Sequence, residues 1–252
     1  MAAVPAAAPS QDVKYGVGKW DPESGLGNHR AVVRVEAVAP GKLGVRVKIP
    51  WRRRDAEPEK KSIIVIDAAT GARIANVYPL AVNREFGDIV FEPKTVPGDY
   101  GVYFMPYKSE GRKNYPNVKY DPPQATADAA WLAATGLAAG KITSVSADAF
   151  PSAKVVEIQS ADEFSSFYPM EVIATAAEAA ALLKANPDSP YLLFPEDRHL
   201  SIRMTGDLPQ RWIASGPNRV FYGEAAPGEY FTFQIGVWAA RGPIEDLAVR
   251  FT

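Results

Sequence analysis

The sequence predicts a mainly β fold, with two β-sandwich modules of the immunoglobulin or jelly-roll type and a connector that carries one or two α-helices. Three observations predict it. Short stretches with an apolar residue at every second position recur along the chain, as in half-buried strands. Gly, Pro or Asp bounds most of these stretches. An Ala-rich segment with helix-capping residues separates the two strand-rich regions.

The first module is predicted over residues 13–107, after a flexible leader at 1–12, and contains about six or seven short strands. In "AVVRVEAV", Val33 and Val35 alternate with Arg34, and "LGVRVKI" repeats this pattern. The charged face of such a strand contacts water. "SIIVID" is apolar on both faces, which favours a central strand.

The connector is predicted over residues 108–153. It begins with a loop rich in Tyr, Pro and Asn, "NYPNVKYDPP", and continues into the Ala-rich segment. Thr126 is a suitable helix N-cap and Gly140 follows the expected end of the helix.

The second module is predicted over residues 154–252 as a mixed α/β to β-sandwich unit. Two capping-box patterns predict helix starts, Ser160-x-x-Glu163 and Thr175-x-x-Glu178. The last sixty or so residues return to apolar alternation, which predicts two or three hairpins.

Composition excludes several classes of function. The net charge is -1, from 28 basic and 29 acidic residues, so no overall field favours nucleic acid. The absence of Cys excludes disulfides and Cys-based zinc sites. The two histidines, His29 and His199, lack the spacing of a metal site, so neither a metal nor another cofactor is expected.

Two features bear on location. No apolar run approaches the length needed to span a bilayer, so membrane insertion is not expected. The Ala/Pro-rich start, "MAAVPAAAPSQD", is typical of a chain from which a signal peptide has been removed, although a frayed cytoplasmic terminus has the same composition. We expect a secreted, periplasmic or cell-surface protein.

One polar cluster could carry chemistry. "FPEDRH" places Glu196, Asp197, Arg198 and His199 directly after an apolar stretch, and such a cluster can hold a carboxylate suited to acid or base catalysis. A polar turn between two strands has the same sequence. Elsewhere the sequence contains neither a phosphate-binding loop nor a nucleophile elbow.

Aromatic and basic residues are the candidate ligand contacts, because sugar-binding surfaces use Trp and Tyr rings beside groups that bond hydroxyls. Tyr115 and Tyr120 lie in a polar loop, and Trp238 lies on the strand face opposite Phe233 and Ile235. The candidate ligand-binding residues are Trp51, Arg52, Arg53, Tyr115, Tyr120 and Trp238.

The stretch "IPWRRRDAEPEKK" allows two interpretations. The preceding alternation places Trp51 on the core face, and a strand continuing to Arg53 would bury a guanidinium, so the strand ends near Pro50. Residues 52–61 then form a loop whose five basic and three acidic side chains mostly pair with one another. The alternative is that Trp51 and one or two arginines contact an acidic sugar.

Several segments together resemble the N-terminal, non-catalytic region of bacterial enzymes related to glycoside hydrolase family 123. They are "GNHRAVVRV", "IPWRRRDAEPEKK", "FGDIVFEPKTVPGDYGVYFMPY", "LLFPEDRHLSIRM", "DLPQRW" and "GEYFTFQIGVWA". The resemblance implies β-sandwich modules that flank a catalytic barrel acting on N-acetylhexosaminides through an Asp-Glu pair. The Asp-Glu pair of this chain, Asp162-Glu163, lies outside any barrel context, so no catalytic residue is carried over.

Three functions follow as hypotheses. The first is a non-catalytic accessory or structural region of a secreted carbohydrate-active enzyme, with a downstream catalytic domain of the same polypeptide, or a glycan, as its partner. The second is a stand-alone carbohydrate-binding surface module. The third is an independent hydrolase that uses Glu196, Asp197 and His199.

Overall fold

The computed structural model describes residues 13–112, 115–139 and 149–250, so the predicted leader at 1–12 lies outside the described residues. The described residues form two compact units. The first unit is drawn from Met1–Trp51 and Asp55–Ser166, and the second from Arg52–Arg54 and Phe167–Thr252. The three arginines thus belong to the second unit, although both their chain neighbours belong to the first.

The strands and helices follow one another in a mainly β order. The strands are β1 Lys14–Val17, β2 His29–Val35, β3 Val45–Ile49, β4 Ile63–Asp67, β5 Val77–Val82, β6 Gly87–Phe91, β7 Gly98–Phe104, β8 Tyr107–Arg112, β9 Tyr115–Tyr120, β10 Lys154–Ser160, β11 Tyr191–Asp197 and β12 Phe233–Ala239. The α-helices are α1 Ala129–Thr135, α2 Ala176–Ala185 and α3 Gln210–Ser215. Strand outweighs helix in the described residues, which confirms the predicted mainly β class.

The first unit contains two packed sheets. The larger has the strand order β1-β10-β2-β7-β4, and the smaller has the order β3-β6-β5. Inward residues alternate with outward ones, as predicted for β2 and β3, and Val33, Val47 and Ile49 are fully or nearly fully buried. Phe91 of the smaller sheet packs against Tyr100 of the larger one, with ring centroids 5.0 Å apart.

Helix α1 covers the second face of the smaller sheet. Asp128 caps its start by accepting hydrogen bonds from the backbone N–H groups of Ala130 and Trp131, and Gly136 ends it in the left-handed region. Trp131 packs against Val90 of β6. The sequence had predicted Thr126 as the cap. Asp128 takes that place because its side chain reaches the free N–H groups of the first turn. The predicted end at Gly140 lies outside the described residues.

The second unit contains one hairpin and two helices around a small core. Strands β11 and β12 pair antiparallel, and α2 and α3 pack on one face of them. Trp212 of α3 stacks on Phe194 with ring centroids 4.5 Å apart. Gly236 allows this approach, because a Cβ atom there would lie 2.3 Å from the Trp212 ring. The core consists of Met170, Leu182, Leu192, Phe194, Leu208 and Trp212.

The division of the chain differs from the sequence prediction. The second module was expected to begin at residue 154, but β10, Lys154–Ser160, pairs with β1 and β2 inside the larger sheet. Contacts across the sheet, rather than the preceding connector, decide where that strand belongs. The connector predicted over 108–153 also contributes the hairpin of β8 and β9.

The second unit is not the β-sandwich that apolar alternation suggested. Among its described residues, only β11 and β12 form a sheet. The stretch that contains "NRVFYGEAAPGEY" and the "IEDLAVR" segment have no strand. The expected helix start at Ser160-x-x-Glu163 is also wrong, because turns follow it. The capping box of Thr175 and Glu178 is confirmed at the start of α2.

Candidate ligand-binding face

The outer face of the larger sheet carries an ordered set of polar and aromatic side chains. Gln159 of β10 lies directly opposite Arg30 of β2, which in turn lies opposite Tyr103 of β7. Side chains on one face of a sheet stand next to their cross-strand partners. These three therefore form one row that crosses the middle of the sheet, on the face opposite the buried Ala31 and Val33.

Trp20 completes this group, which we call the Arg30 cluster (Trp20, Arg30, Tyr103 and Gln159). The Trp20 ring meets Tyr103 edge to face, with centroids 5.5 Å apart and planes at 87°. The Arg30 Cζ atom lies 4.6 Å from the centroid of the Trp20 ring, within the range of a cation–π contact. Trp20 Nε1 donates to the Gly27 carbonyl at 2.7 Å, which fixes the indole.

Neutral acceptors hold the guanidinium of Arg30. Its Nε donates to Gln159 Oε1 at 2.8 Å, and its Nη1 donates to the Tyr103 hydroxyl at 2.9 Å. Two other arginines of the first unit bind carboxylates instead. Arg46 forms a two-pronged pair with Asp88 at 2.9 and 2.7 Å, and Arg34 binds Asp99.

Two glycines make room for the cluster. A Cβ atom at Gly18 would lie 2.4 Å from the Trp20 ring and 2.9 Å from Gln159 Oε1. At Gly101 it would lie 3.0 Å from the Tyr103 ring. The backbone beneath the aromatic rings therefore has to be free of side chains.

Among the described residues, some of the cations on this face are paired with carboxylates and others are not. Lys14 pairs with Glu157 at 3.1 Å, and Arg34 pairs with Asp99. Lys154 lies opposite Arg34 in the register and is exposed. The outward positions thus carry four cations (Lys14, Arg30, Arg34, Lys154) and two carboxylates (Asp99, Glu157). The local excess is positive although the whole chain has a net charge of -1.

Residues 13–112, 115–139 and 149–250 lack the features of two other kinds of site. Within these ranges no group of three His, Asp or Glu side chains is placed to hold a metal ion. No helix there is long and apolar enough to cross a membrane.

Comparison with known families decides the relationship of the chain. A family model described as "Glycoside hydrolase 123, N-terminal domain" matches residues 18–161, which is more than half of the chain. The chain belongs to this family. No curated protein and no solved structure matches the chain significantly. The matched range corresponds closely to the first unit, and all of the Arg30 cluster lies inside it.

Trp51 lies in the core of this glycoside hydrolase 123 N-terminal domain. Its side chain is fully buried, packs on Phe104 with centroids 5.0 Å apart, and donates through Nε1 to the Asn83 carbonyl at 2.8 Å. The predicted inward orientation is confirmed. The alternative interpretation of Trp51 as a ligand contact is wrong, because no face of the indole reaches solvent.

Arg52 and Arg53 are buried in the second unit, with 7% and 6% of their surfaces exposed. Arg52 donates to both Glu178 carboxylate oxygens, at 2.6 and 3.0 Å. The Arg53 Cζ atom lies 4.3 Å from the Phe167 ring centroid. The expected solvent-exposed loop is therefore wrong for these residues, and their burial leaves little surface for a ligand.

In residues 54–61, only some of the basic side chains pair with acidic side chains of the same loop. Arg54 binds Glu171 at 3.0 Å, also outside the loop. Lys60 binds Glu57 as the sequence had suggested, and Lys61 lies near Asp55. The acidic partners of Arg52 and Arg54 are present within the chain, as predicted, but they come from the segment that follows Phe167.

The environment of Glu178 shows how the second unit uses Arg52. Burial alone would raise the pKa of Glu178, but hydrogen bonds from the Arg52 guanidinium and the Thr175 backbone N–H outweigh it. The pKa of this carboxyl is therefore held below its ordinary range. One carboxylate thus caps α2 and neutralises a buried cation.

The two loop tyrosines have different surroundings. Tyr115, at the start of β9, is 84% exposed and stays a predicted ligand contact. Tyr120 donates its hydroxyl proton to Asp55 Oδ1 at 2.7 Å, and the Lys61 ammonium lies 3.6 Å from its ring centroid. Tyr120 is therefore held in place by charged neighbours.

Trp238 lies on the inward face of β12. It packs against the core of the second unit, while Phe233 and Ile235 on the other face are 46% and 48% exposed. The sequence had placed Trp238 among the candidate ligand contacts, on the face opposite Phe233 and Ile235. In the structure this face is covered, because Gly236 and Trp238 lie on the side of β12 that contacts α3.

The polar cluster at residues 196–199 does not converge on one point. Glu196 is buried and accepts hydrogen bonds from Arg211 Nε and Trp212 Nε1, each at 3.0 Å. Asp197 lies on the other face of β11, where its Oδ1 accepts from the backbone N–H of His199 at 2.9 Å. The side chain of His199 is mostly exposed.

Arg198 completes the cluster and points to the same conclusion. It binds Glu229 and lies 5.2 Å from the Phe231 ring centroid, on the surface. The independent hydrolase required the Glu196, Asp197 and His199 side chains to meet in one pocket. Because alternate residues of a strand face opposite ways, that hypothesis is wrong.

The sequence did not identify the Arg30 cluster. Trp20 is one of five tryptophans, and Arg30 is an outward residue of a strand with clear alternation. The sequence does not show that Arg30 has Gln159 as its hydrogen-bond partner. Gln159 is 129 positions from Arg30 and reaches it only because β10 lies beside β2.

Proposed function

We propose that the chain is a non-catalytic accessory region of a secreted carbohydrate-active enzyme, and that it supports a catalytic domain of the same polypeptide. One observation carries the proposal: the first unit belongs to the glycoside hydrolase 123 N-terminal domain family. A domain of this kind works beside a hydrolase domain. Export to the periplasm, the cell surface or the medium is part of the proposal and rests on the composition of residues 1–12.

Glu196 and Asp162, which were considered for catalysis, accept hydrogen bonds that stabilise the fold. Glycoside hydrolysis needs two carboxyl groups that flank an open sugar site, about 5 to 10 Å apart. Glu196 is buried between Arg211 and Trp212. Asp162 accepts a hydrogen bond from the Ser165 backbone N–H at 2.7 Å inside a turn. Glu196 therefore faces the core of the second unit, and Asp162 stabilises a turn.

The outer face of the larger sheet supports a role in glycan contact. It combines an indole ring with donors and acceptors, the two kinds of group that bind sugar C–H faces and hydroxyls. The same face favours a second candidate function, a stand-alone carbohydrate-binding module. A glycan array with the purified chain tests that candidate. If a folded sample bound none of the glycans, the result would count against it.

The test of the accessory role is an assay of the purified chain on aryl N-acetylhexosaminides. We expect no turnover above that of buffer. Turnover by the purified chain that is lost in Glu196→Gln or Asp162→Asn would contradict the proposal. Unchanged circular dichroism of each variant would show that such a loss comes from the chemistry and not from unfolding.

A further inference from the structure

We propose that the Arg30 cluster binds an anionic group, a carboxylate or a sulfate, carried by a glycan. The assignment of the anion to a glycan rests on the proposed function. The assignment of an anion rests on Arg30 itself, whose guanidinium is positioned by neutral groups and by aromatic rings.

Arg30 has hydrogen-bond donors that its described neighbours do not use. A guanidinium has five N–H groups. The bonds to Gln159 and Tyr103 use one on Nε and one on Nη1, which leaves three, two of them on Nη2. Across the described part of the chain, no carboxylate binds Arg30, whereas Arg34, Arg46 and Arg52 each bind one. Arg30 therefore keeps its full charge and a free edge of donors.

The neighbours of Arg30 hold its guanidinium in position before any ligand binds. Arginine binds carboxylate and sulfate best when its planar fork is held in one orientation, because less side-chain entropy is then lost on binding. The Trp20 ring lies against the Arg30 guanidinium, and the hydrogen bonds to Gln159 and Tyr103 hold its Nε and Nη1 in place. The Trp20 ring is in turn held by Gly27 and Tyr103.

The sheet face around Arg30 carries an excess of positive charge. With Lys14 and Arg34 neutralised by Glu157 and Asp99, the remaining cations are Arg30 and Lys154. Lys154 lies two positions from Glu157 in the register with β2, on the same face as Arg30. An anionic sugar on this face gains attraction from two cations, while a neutral sugar gains only hydrogen bonds.

Calorimetric titration of the intact chain tests the proposal. The carboxylate probe is trigalacturonate, with its methyl ester as the neutral counterpart. The sulfate probe is κ-carrageenan tetrasaccharide, with its desulfated form as the counterpart. We expect at least one charged probe to bind and its neutral counterpart to bind about 10-fold more weakly or worse. Affinity should also fall as salt rises.

Two matched variants locate the site. Arg30→Gln and Arg34→Gln each remove one positive charge from the same face, but Arg34 is already paired with Asp99, whereas Arg30 has no carboxylate partner among the described residues. We expect Arg30→Gln to lose about 10-fold or more in affinity, and Arg34→Gln to stay within about 3-fold. Arg30→Lys keeps the charge but not the fork, and should be closer to Arg30→Gln.

The other outcomes overturn the proposal in distinguishable ways. Equal binding of charged and neutral probes would leave glycan contact standing and refute the anion site. Equal loss in Arg30→Gln and Arg34→Gln would mean a diffuse electrostatic effect. Sodium sulfate that binds as tightly as the tetrasaccharide would refute a glycan ligand. Absence of binding would refute the site, while the hydrolysis assay would still decide the accessory role.

Discussion

The buried pair of Arg52 and Glu178 should hold the second unit together, and replacing Arg52 by Met tests this. Arg52 lies among residues of the first unit in sequence, yet it belongs to the second unit. Its side chain is 8% exposed and that of Glu178 is 26% exposed. Met fills much of the same volume without the charge, so the experiment removes the pair and not the packing.

The size of the effect follows from the burial. Removing one partner of a buried ion pair typically costs about 3 to 5 kcal/mol, because the other charge is left without compensation. Glu178 is partly exposed and keeps its bond from the Thr175 backbone N–H, so water can replace part of the loss. We expect the free energy of unfolding to fall by about 2 to 3 kcal/mol.

The matched control is Arg54→Met. Arg54 pairs with Glu171, but its side chain is 46% exposed, and Glu171 also binds Arg203. Exposed pairs contribute about 0 to 1 kcal/mol. The control therefore makes the same substitution two residues away with a much smaller expected cost.

Urea unfolding combined with hydrogen exchange measures both size and place. In Arg52→Met, exchange should rise in α2 and β11 and should stay unchanged in β2 and β7. Equal destabilisation by Arg52→Met and Arg54→Met would refute the reasoning. Loss of protection confined to the first unit would refute it as well.

Two further predictions concern the second unit. Because the pKa of Glu178 is lower in the folded state than its unfolded value of about 4.3, the pair's contribution is complete above that pH. It is lost as the pH falls through the folded pKa, so the urea midpoint of the native chain should drop there and that of Arg52→Met should drop less. In the core, Gly236→Ala places a Cβ 2.3 Å from the Trp212 ring and should cost about 1 to 3 kcal/mol in urea unfolding. Gly242→Ala, with no atom within 4 Å, should be nearly neutral, and equal midpoints would contradict the packing argument.

Local alternation predicted the first unit well because each strand has one buried face. Val33 and Val35 in β2, and Val47 and Ile49 in β3, follow a period of two and are buried. The same period correctly placed Trp51 in the core. Burial of one face is a property that a strand carries in its own sequence.

Alternation failed where both faces of a strand are apolar. In β12, Phe233 and Ile235 look like core residues, yet Gly236 and Trp238 lie on the core face. The choice depends on Trp212, which fills the space above Gly236. A strand that is hydrophobic on both sides does not reveal which side its neighbours will cover.

The sequence did not predict the long-range ion pair of Arg52 and Glu178, and the reason is different. Three acidic residues within 52–61 made local neutralisation of the arginines plausible. Arg52 instead binds Glu178, which is 126 positions away. Charge counts within a loop give the balance but not the geometry, and a guanidinium excluded from water takes the carboxylate that can reach both of its terminal nitrogens.

The sequence offered a Trp-Arg contact with an acidic sugar at Trp51, whereas the outer face of the larger sheet carries a Trp-Arg contact at Trp20 and Arg30. The Trp51 indole lies in the core. The Arg52 guanidinium binds the Glu178 carboxylate, so its charge is neutralised within the fold. At Trp20 and Arg30 the indole lies on the outer face and the guanidinium is held by an amide and a hydroxyl. The charge of the nearest acceptor therefore decides whether an arginine stabilises the fold or stays available to a ligand: Arg52 is paired with a carboxylate, whereas Arg30 is held by neutral acceptors and keeps free donors.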